Sequence, residues 1–185
     1  MKKWKTLKSE TVYKTYTRNL KKDIIMFPDN RESEYTYFDG EDSVMVIGLK
    51  DGKLLMIRQY RYMSDNVELE FSSGYLEKGE TPEEGAKREF EEETGYKAKK
   101  IQFLCDFYEN IGYCRNKMHV FVVTEMEKTE QRLDKGEKGF EDIAVEEMTI
   151  EEMRKLITGN KLTSCSTIAG FMLLDEKIKN GEVKI

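Results

Sequence analysis

The residues best suited to chemistry in this chain are glutamates, which crowd the segment Gly74–Tyr96. The segment reads GYLEKGETPEEGAKREFEEETGY and contains eight glutamates. Thr81 and Pro82 are typical of a helix start, and the glutamate three residues after Thr81 can complete a capping box. Gly95 suits the left-handed residue that ends a helix. The segment therefore predicts a helix from Pro82 to about Thr94.

Three glutamates would lie side by side on this helix. Glu89, Glu92 and Glu93 have the spacing i, i+3, i+4 and fall within an arc of about 100°, while Ala86 and Phe90 form a separate apolar stripe. Like charges near a helix C-terminus destabilise the helix, whereas Mg²⁺ prefers carboxylate oxygen. The three residues alone leave two interpretations open, a solvated acidic face and a cation site.

The composition limits the partners and the compartment. With 185 residues and 38% hydrophobic residues, the chain can form one domain with a sizeable core. A net charge of -5 argues against nucleic acid as a partner. No apolar run reaches the roughly 18 residues of a membrane span. Three cysteines without CxxC spacing favour a reduced, cytoplasmic setting, and the single histidine, His119, argues against a histidine-based zinc site.

Hydrophobic periodicity predicts strands on both sides of the helix. Asp51-Gly52 between two apolar runs indicates a hairpin. Alternation in VELEF would place Val67, Leu69 and Phe71 on one strand face. The predicted strands cover residues 10–39 in short pieces, 43–49, 53–60, 67–71, 100–109, 118–126 and 141–149.

Two further helices are predicted near the C-terminal end. Thr149 and Glu152 form a capping box for a short helix that ends near residue 158. The last helix runs from about Ser164 to Lys179. Its residues available for burial are Ile168, Phe171, Met172 and Ile178. The order of strands, helix, strands and helices predicts an α+β chain, an α/β/α sandwich around a mixed sheet.

The spacing in the glutamate segment resembles the Nudix box, G-x5-E-x7-R-E-U-x-E-E-x-G-U, in which U is apolar or aromatic. Every fixed position is present. The resemblance implies a Nudix hydrolase, which cleaves nucleoside diphosphates linked to another moiety and uses Mg²⁺ or Mn²⁺. It implies that Glu89, Glu92 and Glu93 bind the metal. It also implies a supporting ion pair between Glu80 and Arg88, although a surface pair of little energetic value would look the same in sequence.

The segments that flank the box resemble the ADP-ribose pyrophosphatase branch of that family. IRQYRY followed by VELEFSSGYLEKGE is similar to the strand end that precedes W-E-x-P-A-G in that branch. By this resemblance, Arg61 and Glu70 contact the substrate, and Ser73 offers its backbone carbonyl to the metal. Glu141 matches the loop glutamate that activates water. For Arg61, Glu70 and Glu141, an ordinary solvated side chain is the alternative.

Two tyrosines and one glycine complete the candidate substrate site. Tyr35 and Tyr37 could stack on a base, which contributes about 1–3 kcal/mol, although alternation along a strand also suits ordinary packing. Gly112 lies in the loop ENIGYCRNK, which lacks the proline typical of ADP-ribose-specific relatives. The P-A-G of the branch is Ser72-Ser73-Gly74 here. These departures leave other nucleoside diphosphate sugars open as substrates.

The predicted reaction is metal-dependent hydrolysis of a pyrophosphate bond, with ADP-ribose giving AMP and ribose 5-phosphate. The ions would join the Ser73 carbonyl and the box glutamates to the diphosphate, with Arg88 in support. Glu141, or a box glutamate such as Glu93, would accept the proton of the attacking water. One alternative is a nucleoside triphosphate pyrophosphohydrolase with the same box. Another is a non-catalytic nucleotide-sugar sensor on the same fold.

The chain is predicted to have two parts, an N-terminal strand element over residues 1–40 and a Nudix domain over residues 41–185. Relatives in this branch are homodimers whose N-terminal strands cross to the partner. The resemblance therefore implies a homodimer formed through residues 1–40.

Overall fold

Backbone pairing divides the chain into two units in the computed structural model, which describes residues 1–15, 18–135 and 140–184. The first unit comprises Met1–Asp42 and Phe107–Lys117, and the second comprises Ser43–Asp106 and Met118–Ile185. Tyr16 and Thr17, which fall within the predicted N-terminal strands, lie outside the described residues.

The first unit is a three-stranded antiparallel sheet with one added segment. Its strands are β1 (Lys5–Lys14), β2 (Arg18–Met26) and β3 (Glu32–Gly40), in that spatial order. The segment predicted as the loop ENIGYCRNK pairs with β3. The Phe38 N–H donates to the Tyr113 carbonyl at 2.7 Å, and the Arg115 N–H donates to the Phe38 carbonyl at 3.0 Å.

The second unit contains a seven-stranded sheet centred on β4 (Ser43–Lys50). β4 pairs in parallel with β9 and antiparallel with β5 and β7, so the sheet is mixed as predicted. The hairpin between β4 and β5 turns at Asp51 and Gly52, which have φ of 50° and 74°. The remaining strands are β5 (Lys53–Arg61), β6 (Asn66–Glu70), β7 (Ser72–Tyr75), β8 (Tyr96–Phe107), β9 (Met118–Lys128) and β10 (Ile143–Thr149).

The three helices of this unit are α1 (Pro82–Thr94), α2 (Ile150–Thr158) and α3 (Cys165–Lys179), close to the predicted bounds. Thr149 and Glu152 form the predicted capping box of α2. No helix among the described residues has the length and apolar character needed to cross a membrane.

Alternate residues of β4 contact helices on opposite faces of the sheet. Val44 and Val46 pack in the same core cluster as Phe90 of α1. A Cβ at Gly48 would come within 3.0 Å of the Phe90 ring, so glycine allows α1 to approach closely.

Helix α3 covers the other face of β4. A Cβ at Gly170 of α3 would lie 2.7 Å from Met45 Sδ and 3.6 Å from Ile47 Cδ1. Because side chains alternate along a strand, α1 and α3 must lie on opposite sides of the sheet. The predicted α/β/α sandwich is therefore confirmed.

Three details of these elements lie outside what the sequence predicted. Leu69 and Phe71 are buried, but Val67 is 51% exposed because it lies next to the turn of the β5–β6 hairpin. Met172 is also exposed, because only the opposite side of α3 faces the sheet. Residues 72–75 form β7, a strand that their small polar residues did not predict.

Substitution of Phe90 tests the packing of α1 on the sheet. Phe90→Ala should lower the free energy of unfolding by about 3–5 kcal/mol, because it removes a fully buried ring and leaves a cavity. Urea denaturation followed by circular dichroism would measure this change. Phe140→Ala is the matched control, since Phe140 is 79% exposed and its loss should cost under about 0.5 kcal/mol. Equal losses in the two variants would contradict the packing described.

Candidate active site

Helix α1 is held in register by caps at both ends. The Thr81 hydroxyl accepts a hydrogen bond from the Glu84 N–H at 3.3 Å, and the Glu84 carboxylate accepts one from the Thr81 N–H at 2.9 Å. Gly95 ends the helix in the left-handed conformation with φ of 67°. The caps match the sequence prediction, and they set the residues at which α1 begins and ends.

Glu93 is the most deeply buried carboxylate of α1, with 4% of its surface exposed. The Ser73 N–H donates to Glu93 Oε2 at 2.8 Å. Burial raises the pKa of Glu93 to about 8. The Ser72 hydroxyl and the Ser73 N–H oppose this rise, and the charges of Glu89 and Glu141 add to it.

Glu89 fills the space above Gly74. A Cβ at Gly74 would lie 2.1 Å from Glu89 Cδ and Oε1, so a larger residue would displace the carboxylate. Burial raises the pKa of Glu89, and the guanidinium of Arg88 opposes the rise. The first glycine of the box is therefore explained by the volume of a carboxylate, because its backbone has no positive φ.

Arg88 links the carboxylates to the turn before the helix. Its Nε and Nη2 each donate to Glu80 at 2.9 Å, and Nη2 also donates to the Tyr75 carbonyl at 3.0 Å. Its Nη1 donates to Glu89 at 2.7 Å and to Glu92 at 3.2 Å. The Glu80 carboxylate is the main cause of a raised Arg88 pKa. Arg88 thus offsets part of the negative charge while its other side is held by Glu80.

The donor set on this face fits a hard divalent cation. Glu89 and Glu93 are buried carboxylates whose ionised form is disfavoured by their surroundings, which is the condition that a bound cation reverses. Carboxylate oxygen is the ligand that Mg²⁺ and Mn²⁺ prefer. Among the described residues, no three acidic, histidine or cysteine side chains are arranged to hold an ion as they stand. Arg88 instead occupies oxygens of Glu89 and Glu92.

Glu141 lies within electrostatic reach of the buried carboxylates. Its charge raises the pKa of both Glu89 and Glu93. Two hydrogen bonds of 2.8 Å hold it: the Asp134 N–H donates to Glu141 Oε2, and the Glu141 N–H donates to the Asp134 carbonyl. Residues 136–139 of this loop lie outside the described residues.

The start of the same loop caps the C-terminal end of α1, which sequence reasoning missed. Gln131 Nε2 donates to the Glu93 carbonyl at 2.5 Å and to the Ile143 carbonyl at 3.4 Å. The Arg132 N–H donates to the Glu92 carbonyl at 2.9 Å. The last carbonyls of a helix have no hydrogen-bond partner within the helix, so they need partners from elsewhere. The sequence Gln131-Arg132 does not indicate which helix these residues will cap.

Arg61 and Glu70 form an ion pair near Glu93. Arg61 Nε donates to Glu70 Oε2 at 3.0 Å, and the Glu70 side chain is 12% exposed. Burial lowers the pKa of Arg61, but Glu70 and the charges of Glu93 and Tyr75 outweigh it and raise the pKa. Arg61 is therefore a positioned cation within the electrostatic field of the glutamate face.

Tyr35, Tyr37 and Gly112 belong to the first unit. They line a cavity of about 330 Å³ together with Tyr108 and Tyr113. The Tyr35 hydroxyl donates to the Gly112 carbonyl, which ties the loop to β3. The cavity offers aromatic faces of the kind on which a nucleobase stacks.

Comparisons with known proteins agree with the geometry of the second unit. The NUDIX domain profile matches residues 40–164. The chain is 31% identical over 174 residues to the ADP-ribose pyrophosphatase of Bacillus subtilis (strain 168), covering 94% of this chain and 93% of that protein. The chain belongs to the Nudix family. It is a Nudix hydrolase, as the box predicted.

Two further relatives match the Nudix chain along most of its length. The methanol dehydrogenase activator of Bacillus methanolicus is 28% identical over 179 residues, covering 95% of this chain and 96% of that protein. A crystal structure of an ADP compounds hydrolase superposes with a TM-score of 0.86 at 23% identity, covering 100% of this chain and 98% of that chain. The match to the crystal structure supports the fold described above.

The predicted site residues of this Nudix hydrolase divide between the two units. Tyr35, Tyr37 and Gly112 lie in the first unit. The other predicted residues lie in the second unit: Arg61, Glu70, Ser73, Glu80, Arg88, Glu89, Glu92, Glu93 and Glu141.

Replacement of Gly74 tests the close approach of Glu89. Gly74→Ala should lower hydrolytic activity by about 100-fold, because the new methyl group would push the carboxylate out of place. The melting temperature should fall little, since only the end of a flexible side chain has to move. Activity close to that of the unsubstituted enzyme would contradict this role of Gly74.

The raised pKa of Glu93 predicts the pH dependence of stability in the absence of divalent cations. Glu93 keeps its proton up to about pH 8 in the folded state, whereas its ordinary value is 4.5. Between these two pH values the unfolded chain binds fewer protons than the folded chain. The free energy of unfolding should therefore fall by up to about 1.4 kcal/mol for each pH unit by which the pH rises. Glu93→Gln should remove this slope. Urea titrations at pH 5 to about pH 8 in EDTA measure it, and parallel pH profiles for the two proteins would refute the assignment.

Proposed function

We propose that this chain hydrolyses the pyrophosphate bond of a nucleoside diphosphate sugar with the help of Mg²⁺ or Mn²⁺. The observation that carries the proposal is the burial of Glu89 and Glu93 side by side against Ser73 and Gly74. A hydrolase that acts on diphosphates needs positive charge at the scissile bond, and a carboxylate pair of this kind recruits it as a cation.

ADP-ribose is the first substrate to test, with AMP and ribose 5-phosphate as the products. The name of the Bacillus subtilis relative supports this choice, as do the flanking segments IRQYRY and VELEFSSGYLEKGE. One observation favours a second candidate, a nucleoside diphosphate sugar with another base or sugar. The loop that contains Gly112 has no proline, and its Gly112 carbonyl is engaged by Tyr35.

Four groups of the second unit are assigned to cation binding in this proposal: the carboxylates of Glu89, Glu92 and Glu93 and the carbonyl of Ser73. A cation bound there offsets the charge of the diphosphate and lowers the pKa of water. Arg88 keeps Glu89 and Glu92 close together despite their like charges, because it donates to both. Glu80 holds Arg88 in that position.

Arg61 is assigned to the diphosphate. Its planar guanidinium suits phosphate oxygens, and Glu70 orients it by accepting from both Nε and Nη2. The charge of Glu93 raises the pKa of Arg61, which supports a position of this cation near the glutamate face.

Glu141 is assigned as the general base that accepts the proton of the attacking water. Two hydrogen bonds to Asp134 hold the residue, and its charge acts on Glu89 and Glu93. A carboxylate near the proposed cation site is the type of side chain that accepts the proton of an attacking water.

We further propose that residues 1–40 form the contact surface of a homodimer and that the enzyme works in the cytoplasm. The strand β1 buries little of its own surface, since nine of its ten residues are exposed. The three cysteines are free thiols, as a reducing compartment requires.

A matched pair of neutral substitutions tests the role of Glu93. Glu93→Gln should lower Mg²⁺-dependent turnover by at least about 100-fold, because it removes a ligand charge without changing the side-chain shape. Glu91→Gln should leave turnover within about twofold, since the ion pair of Glu91 among the described residues is with the exposed side chain of Arg132, at 3.5 Å. The assay would measure AMP release from ADP-ribose.

A substrate panel separates the alternatives. Two monophosphate products indicate a diphosphate sugar, whereas inorganic pyrophosphate indicates a nucleoside triphosphate. Tight nucleotide binding without turnover would indicate a sensor. Full activity of Glu93→Gln on the best substrate of the panel would refute the proposed site.

A further inference from the structure

Ser72 of β7 carries a hydroxyl group that the reaction described above does not use. The residue is 1% exposed and pairs with Val46 of the central strand β4. Its Oγ makes no hydrogen bond of ordinary geometry with any described residue. Directly paired residues share a sheet face, and Val46 packs with Phe90 of α1, so the Ser72 side chain lies on the face that α1 covers. Glu93 of the same helix reaches β7 at the next residue, Ser73.

A buried hydroxyl without a good partner is unfavourable for folding, and native proteins contain few of them. An alanine would fill nearly the same space without this cost. The hydroxyl therefore needs a partner in the state in which the enzyme works. Glu93 is the acidic residue of α1 at this part of β7, and the neighbouring residue already donates to its carboxyl group through the Ser73 N–H at 2.8 Å.

Two consecutive residues of β7 thus face one carboxylate with two different donors, a hydroxyl and a backbone amide. A carboxylate that binds a metal is usually held by such hydrogen bonds, which fix its orientation and raise the affinity of the site. The amide of Ser73 is supplied by any residue except proline at that position, whereas the hydroxyl requires serine or threonine at position 72.

We propose that Ser72 is a positioning residue for Glu93, whose hydroxyl donates to the Glu93 carboxylate when that carboxylate binds a divalent cation. The inference rests on the proposed function, because it requires a cation on the glutamate face. It adds a determinant of cation affinity that lies outside the Nudix box, in the SSG segment where the branch has P-A-G.

The competing explanation is that Ser72 is simply a small residue that fits beside β4. That explanation predicts that removal of the hydroxyl leaves cation binding unchanged. Both explanations allow the cation-free protein to become slightly more stable when a buried unpartnered hydroxyl is removed. Cation affinity therefore separates them, and stability alone does not.

The test compares the full-length chain with Ser72→Ala and Ser72→Thr by isothermal titration with Mn²⁺, without substrate. Ser72→Ala should weaken Mn²⁺ binding by about 10-fold to 100-fold, while its melting temperature in EDTA stays the same or rises. Ser72→Thr keeps the hydroxyl and should bind Mn²⁺ within about threefold of the unsubstituted protein.

Thr129→Val is the matched control, because the Thr129 hydroxyl is also buried without a partner among the described residues. It should leave Mn²⁺ affinity unchanged. Unchanged affinity in Ser72→Ala overturns the proposal, and so does an equal loss in Thr129→Val or in Ser72→Thr. If the unsubstituted protein binds no Mn²⁺, the proposed function fails together with this inference, whereas tight binding in all four proteins refutes this inference alone.

Discussion

The burial of two carboxylates side by side is the constraint on which the second unit depends. Removing an ion from water costs on the order of several kcal/mol, and like charges make the cost larger. Glu89 and Glu93 are tolerated because neighbouring groups compensate in part: Arg88 donates to Glu89, and the Ser73 N–H donates to Glu93. The compensation is incomplete, since burial still raises the pKa of both carboxylates. A positive charge at this helix face would offset the remaining deficit.

This arrangement requires an accurate rotation of α1 about its axis and an accurate distance of α1 from the sheet. Phe90 and Gly48 set the distance between the helix and the sheet. The capping box at Thr81 and the left-handed Gly95 set where the helix begins and ends. Because Glu89 and Glu93 lie beside the Ala86–Phe90 stripe at the helical period, the packing of one aromatic ring also turns these two carboxylates toward β7. Core packing and site geometry are therefore properties of the same helix.

Local patterns predicted much of this structure. The bounds of α1, the capping box of α2 and the hairpin at Asp51-Gly52 depend on residues within a few positions of one another, and all were confirmed. The exposure of Val67 and Met172 depends on which part of an element contacts a distant partner. Periodicity does not specify that part. The strand β7 is formed by small polar residues whose pairing with β4 is a tertiary effect. The pairing of Arg61 with Glu70 and the closeness of Ser72 to Glu93 likewise arise only after the sheet has formed.

The contacts of Gln131 and Arg132 at the end of α1 connect the loop that holds Glu141 to the helix that carries the glutamates. These residues hold the carbonyls of Glu93 and Glu92, and the same loop continues to Asp134, which holds Glu141. A displacement of the loop that withdraws Glu141 would also pull on the last turn of the helix that carries the two carboxylates. Glu141 and the anionic face are thus mechanically linked, so that a displacement of one is transmitted to the other.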